Sequence, residues 1–176
     1  AGSRGIILWN PDNGEKIKLI DTPGQGVSTF DWSPDGSKIV TAGGFGRSSY
    51  SGDKVYFPVR IWEIATGNMI KRLSYDSGHR HDILSVSWSP DGSKIATASA
   101  DETVKLWDYE TGECLSSLHG FDTGRDGENV SWSPDGRQIG FMAGIFQAVL
   151  PDIGKNVFKE SGKIVKWSPD GSKIAL

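Results

Sequence analysis

The chain holds one cysteine (Cys114), two methionines and three histidines in 176 residues. A single cysteine excludes an intramolecular disulfide framework and a multi-cysteine zinc site. No apolar run approaches about 18 residues, so no segment reads as a membrane-spanning helix. The first residues, Ala1 to Asn10, lack the apolar core of a secretory leader. A cytoplasmic protein is the simplest expectation from these absences. Positive charge is not in excess either: Lys and Arg number 19 against 22 Asp and Glu, a net charge of −3. That balance disfavours a dedicated nucleic-acid or anionic-membrane surface, and neither is expected as a partner.

Glycine is what the chain has in quantity, with 23 residues. This is about twice its average share of roughly 7%. It points to a turn-rich, all-β architecture rather than a helix bundle. The length suits a single domain over residues 1–176 with a core of its own.

The string Trp-Ser-Pro-Asp-Gly occurs four times, starting at Trp32, Trp88, Trp132 and Trp167. Each copy is followed by an isoleucine: Ile39, Ile95, Ile139 and Ile174. The local physics is that of a hairpin turn. The Ser33 hydroxyl can accept from the backbone, Pro34 presets φ, Asp35 tolerates the next position and Gly36 takes a positive φ. A turn of this kind, closed by a glycine bulge, joins antiparallel strands. Strands are expected before each copy, over Val27–Trp32, Ile83–Trp88, Asn129–Trp132 and Lys163–Trp167. Strands are also expected after each, over Lys38–Ala42, Lys94–Ser99, Gln138–Met142 and Lys173–Leu176.

A second phrase reads Ile7-Leu8-Trp9-Asn10, Arg60-Ile61-Trp62-Glu63 and Lys105-Leu106-Trp107-Asp108. Gly14, Gly67 and Gly112 follow each tryptophan at a spacing of five. In the fourth unit Gly154 keeps this spacing, and Val149 is expected where the tryptophan would stand. A further strand follows each glycine, as in Lys16–Ile20, Met69–Leu73 and Cys114–Leu118. All seven tryptophans fall in these two phrases, and all are expected to pack between strands.

One unit is therefore four antiparallel strands. It resembles the WD-repeat family of β-propellers. In the clearest copy, Ile83–Leu118, Gly78-His79 matches the family's Gly-His and Trp107-Asp108 its Trp-Asp, while Asp101 matches the aspartate that in this family accepts from the histidine. The resemblance implies a structural network from Asp101 through His79 and a strand hydroxyl (Ser99 or Thr97) to Trp107. The other copies lack the Gly-His, and Asn10 or Glu63 replaces the Trp-Asp aspartate. Spacings between turn tryptophans are 56, 44 and 35 residues, and the variation lies in loops such as Gly43–Val59.

The chain starts and ends inside a unit. Residues 1–20 supply a third and fourth strand, and residues 163–176 a first and second. The fold expected is thus a propeller of four blades per chain, one of them split between the ends. Three arrangements complete the split blade: a two-chain, eight-bladed ring, a longer parent array, or a four-bladed closed monomer. Eight blades require about 45° per step against about 90° for four, which favours the homodimeric ring.

No catalytic constellation emerges. His79 belongs to the implied network, which leaves His81 without a second metal-binding imidazole. Cys114 reads as a packed or edge thiol. The aspartates of the Pro-Asp-Gly turns recur because the turn needs them, and Gly124-Arg-Asp-Gly lies in a β context rather than a phosphate loop. The chain is read as a non-enzymatic scaffold without cofactor or metal. Its expected surface for a protein or peptide partner comprises Arg47, Tyr50, Tyr56, Phe57, Arg80, His81, Phe121 and Arg125, because aromatics beside arginine make binding hot spots. The rival readings are a small-molecule or enzymatic site at the channel mouth, and an excised or engineered piece of a longer propeller with no function of its own.

Overall fold

A computed structural model describes residues 5–23, 26–43, 49–51, 54–73, 77–119, 129–141, 144–148, 156–158 and 166–175. Among the described residues every element is a strand. The first sheet pairs β1 (Gly5–Trp9) with β2 (Lys16–Asp21). The second contains β3 (Thr29–Trp32), β4 (Lys38–Ala42), β7 (Arg60–Glu63) and β8 (Met69–Arg72), with a separate hairpin, β5 (Ser49–Ser51) and β6 (Lys54–Tyr56), inserted after β4. The third is β9 (Ile83–Trp88), β10 (Lys94–Ser99), β11 (Thr103–Asp108) and β12 (Cys114–His119). The fourth is β13 (Ser131–Trp132), β14 (Gln138–Phe141), β15 (Gly144–Gln147) and β16 (Asn156–Phe158). A last pair joins β17 (Lys166–Trp167) and β18 (Ile174–Ala175). Neighbouring strands are antiparallel throughout.

The four turns fold through their own side chains. Gly36 N–H donates to Ser33 O at 2.8 Å, and Gly36 sits at φ +68°. Ser33 Oγ accepts from Lys38 N–H (2.9 Å) and donates to Asp35 Oδ1 (2.6 Å). Asp35 also accepts from Ser37 N–H and its hydroxyl. These donors hold the Asp35 carboxyl well below the usual carboxylate range. The same bonds, from Ser168 and Ser172, bring Asp170 down to about 2. The Pro-Asp-Gly aspartates are turn acceptors.

Both faces of an internal sheet are apolar. Ile6, Ile20, Ile39 and Trp62 form one cluster between the first and second sheets. Val40, Ile61, Ile83, Trp88, Ile95 and Trp107 form the next, between the second and third. Ala96, Val104, Leu106, Trp132, Ile139 and Phe146 fill the third-to-fourth gap. Polar clamps repeat on this stacking. Lys18 Nζ donates to Ile64 O and Ala65 O, and Lys71 Nζ, one sheet on, to Tyr109 O and Glu110 O. Lys18 faces Leu8 and Lys71 faces Ile61, the same place in the register.

Register corrects the expectation at Val149. Ile39 lies opposite Trp62 and Ile95 opposite Trp107, while Ile139 lies opposite Phe146. The ladder also slips at the same point in each third strand, between Leu8 and Trp9, Ile61 and Trp62, Leu106 and Trp107, and Ile145 and Phe146. Phe146 therefore holds the tryptophan place. The strand starts only two residues after β14, too soon for spacing from Gly154 to find it.

The tryptophans are not all packed. Trp62, Trp88, Trp107 and Trp132 are buried at 1–6% exposure, whereas Trp9 is 57% and Trp32 43% exposed. Trp9 shares the outer face of its sheet with Ile7 and Ile17, which are also exposed. Among the described residues each lacks the neighbour that its counterpart has: Trp9 has no second strand beside it, and Trp32 has no first strand of a preceding sheet.

At Gly92, φ is +75° and the nearest atom to a Cβ would be Pro34 Cδ at 3.8 Å, so space is not the constraint. Gly92→Ala should destabilise by about 1–2 kcal/mol through the left-handed backbone alone. Urea denaturation measures this, and an unchanged midpoint would refute the assignment of strain to that turn.

Candidate functional site

Two segments meet at one end of the third sheet, the run Ser77–Asp82 leading into β9 and the tight turn Ala100–Glu102 between β10 and β11. Ala100 N–H donates to Asp82 O at 2.9 Å, and Glu102 takes φ +61° to close the turn. His79 is fully buried between them. Its Nδ1 lies 3.0 Å from Asp101 Oδ2 and its Nε2 2.7 Å from Thr97 Oγ1. Trp107 Nε1–H donates to the same Thr97 oxygen at 2.8 Å. An indole N–H cannot accept, so Thr97 accepts from Trp107 and gives its own proton to Nε2. The imidazole proton is thereby placed on Nδ1, facing Asp101. Asp101 also accepts from Arg80 N–H (2.8 Å), Thr103 N–H (3.1 Å) and the Thr103 hydroxyl (2.5 Å).

The hydroxyl between histidine and indole is thus that of Thr97. Ser99 stands outside the relay: its Oγ donates to His81 O and accepts from Asp101 N–H, each at 3.1 Å. It ties the same two segments from the side. The aspartate of the Trp-Asp phrase, Asp108, caps a turn by accepting from Thr111 N–H and its hydroxyl. Asn10 accepts from Asp12 N–H and Glu63 from the Thr66 hydroxyl at the matching turns, which explains why neither needs to be aspartate.

Burial pushes the His79 pKa down, and the Asp101 hydrogen bond only partly opposes it. For Asp101, burial alone would raise the carboxyl; the hydrogen bond and charge of His79, the Thr103 hydroxyl and Arg80 N–H outweigh it and hold the group low. Cys114 is pushed up by burial against the Lys105 charge, and its thiol donates to Ser116 O at 3.3 Å. A protonated thiol on edge strand β12 is a poor nucleophile.

The residues expected on the partner surface divide. Phe57, Arg80 and His81 come together beside the relay. Phe57 N–H donates to His79 O at 3.0 Å, and its ring stacks on His81 with centroids 6.1 Å apart. Phe57 also packs on the core cluster, so it anchors the loop as well as lining it. Arg80 and His81 are exposed. Tyr50 and Tyr56 lie on opposite strands of the β5–β6 hairpin, and their side chains lie outside the described residues. Arg47, Phe121 and Arg125 fall wholly outside them.

Over part of its length the chain is similar to WD-repeat proteins. The family "WD domain, G-beta repeat" matches residues 14–49 and 68–108. The chain is 30% identical to Protein FIZZY-RELATED 3 of Arabidopsis thaliana over 107 residues, 61% of this chain and 20% of that protein. It is 27% identical to B-type cell cycle switch protein ccs52B of Medicago truncatula over 107 residues, 61% of this chain and 19% of that one. It is 39% identical to WD repeat-containing protein 1 of Gallus gallus over 93 residues, 53% of this chain and 14% of the relative. The matches span a fifth or less of these relatives.

Asp101→Ala should cost about 1–3 kcal/mol, because the buried His79 donor loses its acceptor. A depressed histidine pKa sets the sign of the pH effect. The unfolded chain takes up a proton at His79 near pH about 6.5 and the folded chain does not, so stability is full above that pH and falls as pH drops below it. Melting temperatures at pH 7.5 and 5.5 should differ in the parent chain and differ less in His79→Gln. Equal slopes in the two proteins would overturn the relay as the source.

Proposed function

We propose that the chain is a non-catalytic interaction module that holds a protein or peptide on the face formed by the Gly43–Val59 loop and the Ser77–Asp82 segment. The observation that carries this is the convergence of exposed Arg80 and His81 with Phe57 over a rigid, buried relay. A rigid support beneath exposed arginine and aromatic groups lowers the ordering cost of binding. The names of the relatives include a cell cycle switch and no enzyme, which supports a regulatory scaffold. Replacing Tyr50, Tyr56 and His81 together with serine should abolish partner capture while leaving the melting temperature nearly unchanged. A collapse in stability would instead make those rings part of the core.

The same proposal includes assembly. Among the described residues strands β1 and β2 pair with no other strand, and β17 and β18 take the places of a first and second strand. Pairing β18 of one copy with β1 of another completes a four-stranded sheet and covers Trp9, Ile7 and Ile17. It also brings β17 to Trp32. In the chain itself Trp132 Nε1–H donates to Ser87 O and Trp167 Nε1–H to Ser131 O, each reaching the first strand of the preceding sheet. The matching acceptor for Trp32 is Lys166 O of the second copy. Fully burying a large apolar side chain contributes about 1.5–3 kcal/mol, and Trp9 and Trp32 are half exposed. Two copies form two such seams, the second without a fresh association cost. Light scattering should give twice 19.1 kDa, with tryptophan emission shifting to the blue on association. A 19.1 kDa particle at high concentration would overturn the ring.

A further inference from the structure

A cavity of about 290 Å³ opens beside the relay, lined by Ser77, Gly78, Arg80, Asp101, Thr103, Lys105 and His119. We infer that it is a binding site for one oxyanion, supplied by an acidic or phosphorylated side chain of the partner. The source of that group rests on the interaction reading above; the anion chemistry does not.

Lys105 carries the argument. It sits mid-strand on β11 and is 9% exposed. Its ammonium donates to Ser117 Oγ at 3.1 Å, across the β11–β12 register. A neutral hydroxyl is its sole acceptor among the described residues, and no carboxylate there pairs with it. An ammonium has three donors, so two find no acceptor among the described residues. A buried charge with so little compensation is expensive, and an oxyanion beside it would remove the deficit.

The rest of the lining agrees in sign. Arg80 meets Asp101 through its backbone N–H, and its guanidinium makes no ion pair among the described residues. A free guanidinium offers a planar fork that fits a carboxylate or phosphate. His119 and the Ser77 hydroxyl add further donors. Asp101 is the one carboxylate in the lining, and both its oxygens are engaged. Oδ1 accepts from Thr103, and Oδ2 from Arg80 N–H and His79. Its lone pairs are directed inward, to the relay, and Arg80 and Lys105 together outweigh its single charge in the lining. The volume falls just below the usual range of small-molecule sites, roughly 300–1,000 Å³, which suits a single side-chain group.

The test uses the full chain, isotope-labelled, with two probes: inorganic phosphate and N-acetyl-glutamate amide. The backbone amides of Gly78, Arg80 and Thr103 should shift saturably on titration. Affinity should fall roughly tenfold or more in Arg80→Ala and in Lys105→Met. Arg80 is exposed, so its variant keeps the measurement valid if Lys105→Met fails to fold. Saturation by phosphate alone assigns a phosphorylated side chain, and saturation by both probes an acidic one. Shifts that do not saturate with either probe, or that persist unchanged in Arg80→Ala, overturn the site. Such a failure would leave partner capture and the mass in solution untouched, so it would not be confused with failure of the interaction reading.

Discussion

Each internal sheet of this protein is apolar on both faces, and such a sheet is stable only between two others. That requirement organises everything else. Ile39 and Trp62 look back to Ile6 and Ile20, while Val40 and Ile61 of the same strands look forward to Ile83 and Trp88. Alternation along the strand thus serves two cores instead of a core and solvent. The lysine clamps at Lys18 and Lys71 add polar stitching where one sheet's outer strand meets the next sheet's turn. The family's sequence unit crosses the same gaps. Its second match, residues 68–108, begins on β8 of one sheet and ends on β11 of the next. A repeat offset from its sheet makes every covalent unit a bridge between two layers.

Within that stack one site is solved in three ways. In the third sheet the Trp107 indole meets Thr97, which continues to His79 and Asp101. In the second, Trp62 Nε1–H donates to Thr41 Oγ1 at 2.9 Å. In the fourth, Phe141 and Phe146 stack with ring centroids 4.7 Å apart. A buried indole N–H needs an acceptor, and a threonine on the adjacent strand is the shortest supply. Remove the indole and the hydroxyl becomes the liability, so two phenylalanines fit together or neither does. Extending the relay to His79 adds something different, because it fixes a segment outside the sheet.

Much of this could be read from residues alone, and the reasons for the rest are physical. The turns were legible because Ser, Pro, Asp and Gly each perform one local task. The relay was legible in outline, yet two hydroxyls two residues apart on β10 point to the same face, and composition does not say which one meets the indole. Phe146 was missed because spacing from a downstream glycine assumes a connection of fixed length. Register opposite Ile139 is the stronger criterion, and it is a property of the folded sheet. Trp9 and Trp32 are expected in a core because their counterparts are, but burial depends on the neighbour, and among the described residues no strand covers these two. Lys105 gave no signal at all. A lysine on an alternating strand reads as solvent-facing, and only the packed third sheet encloses it.

The neutral state of His79 links stability to the candidate surface. A proton on Nε2 would turn the Thr97 hydroxyl from donor to competitor and leave it without a place to direct its hydrogen, since Trp107 already donates to it. The relay would break at its buried centre rather than at Asp101, where the added charge finds a carboxylate. What moves with that break is outside the sheet. Phe57 is hydrogen-bonded to the His79 carbonyl, His81 stacks on Phe57, and Arg80 N–H is held by Asp101. All three exposed or half-buried side chains of the surface hang on backbone atoms within two residues of one imidazole. A core histidine therefore ties the three side chains of the candidate surface to the third sheet.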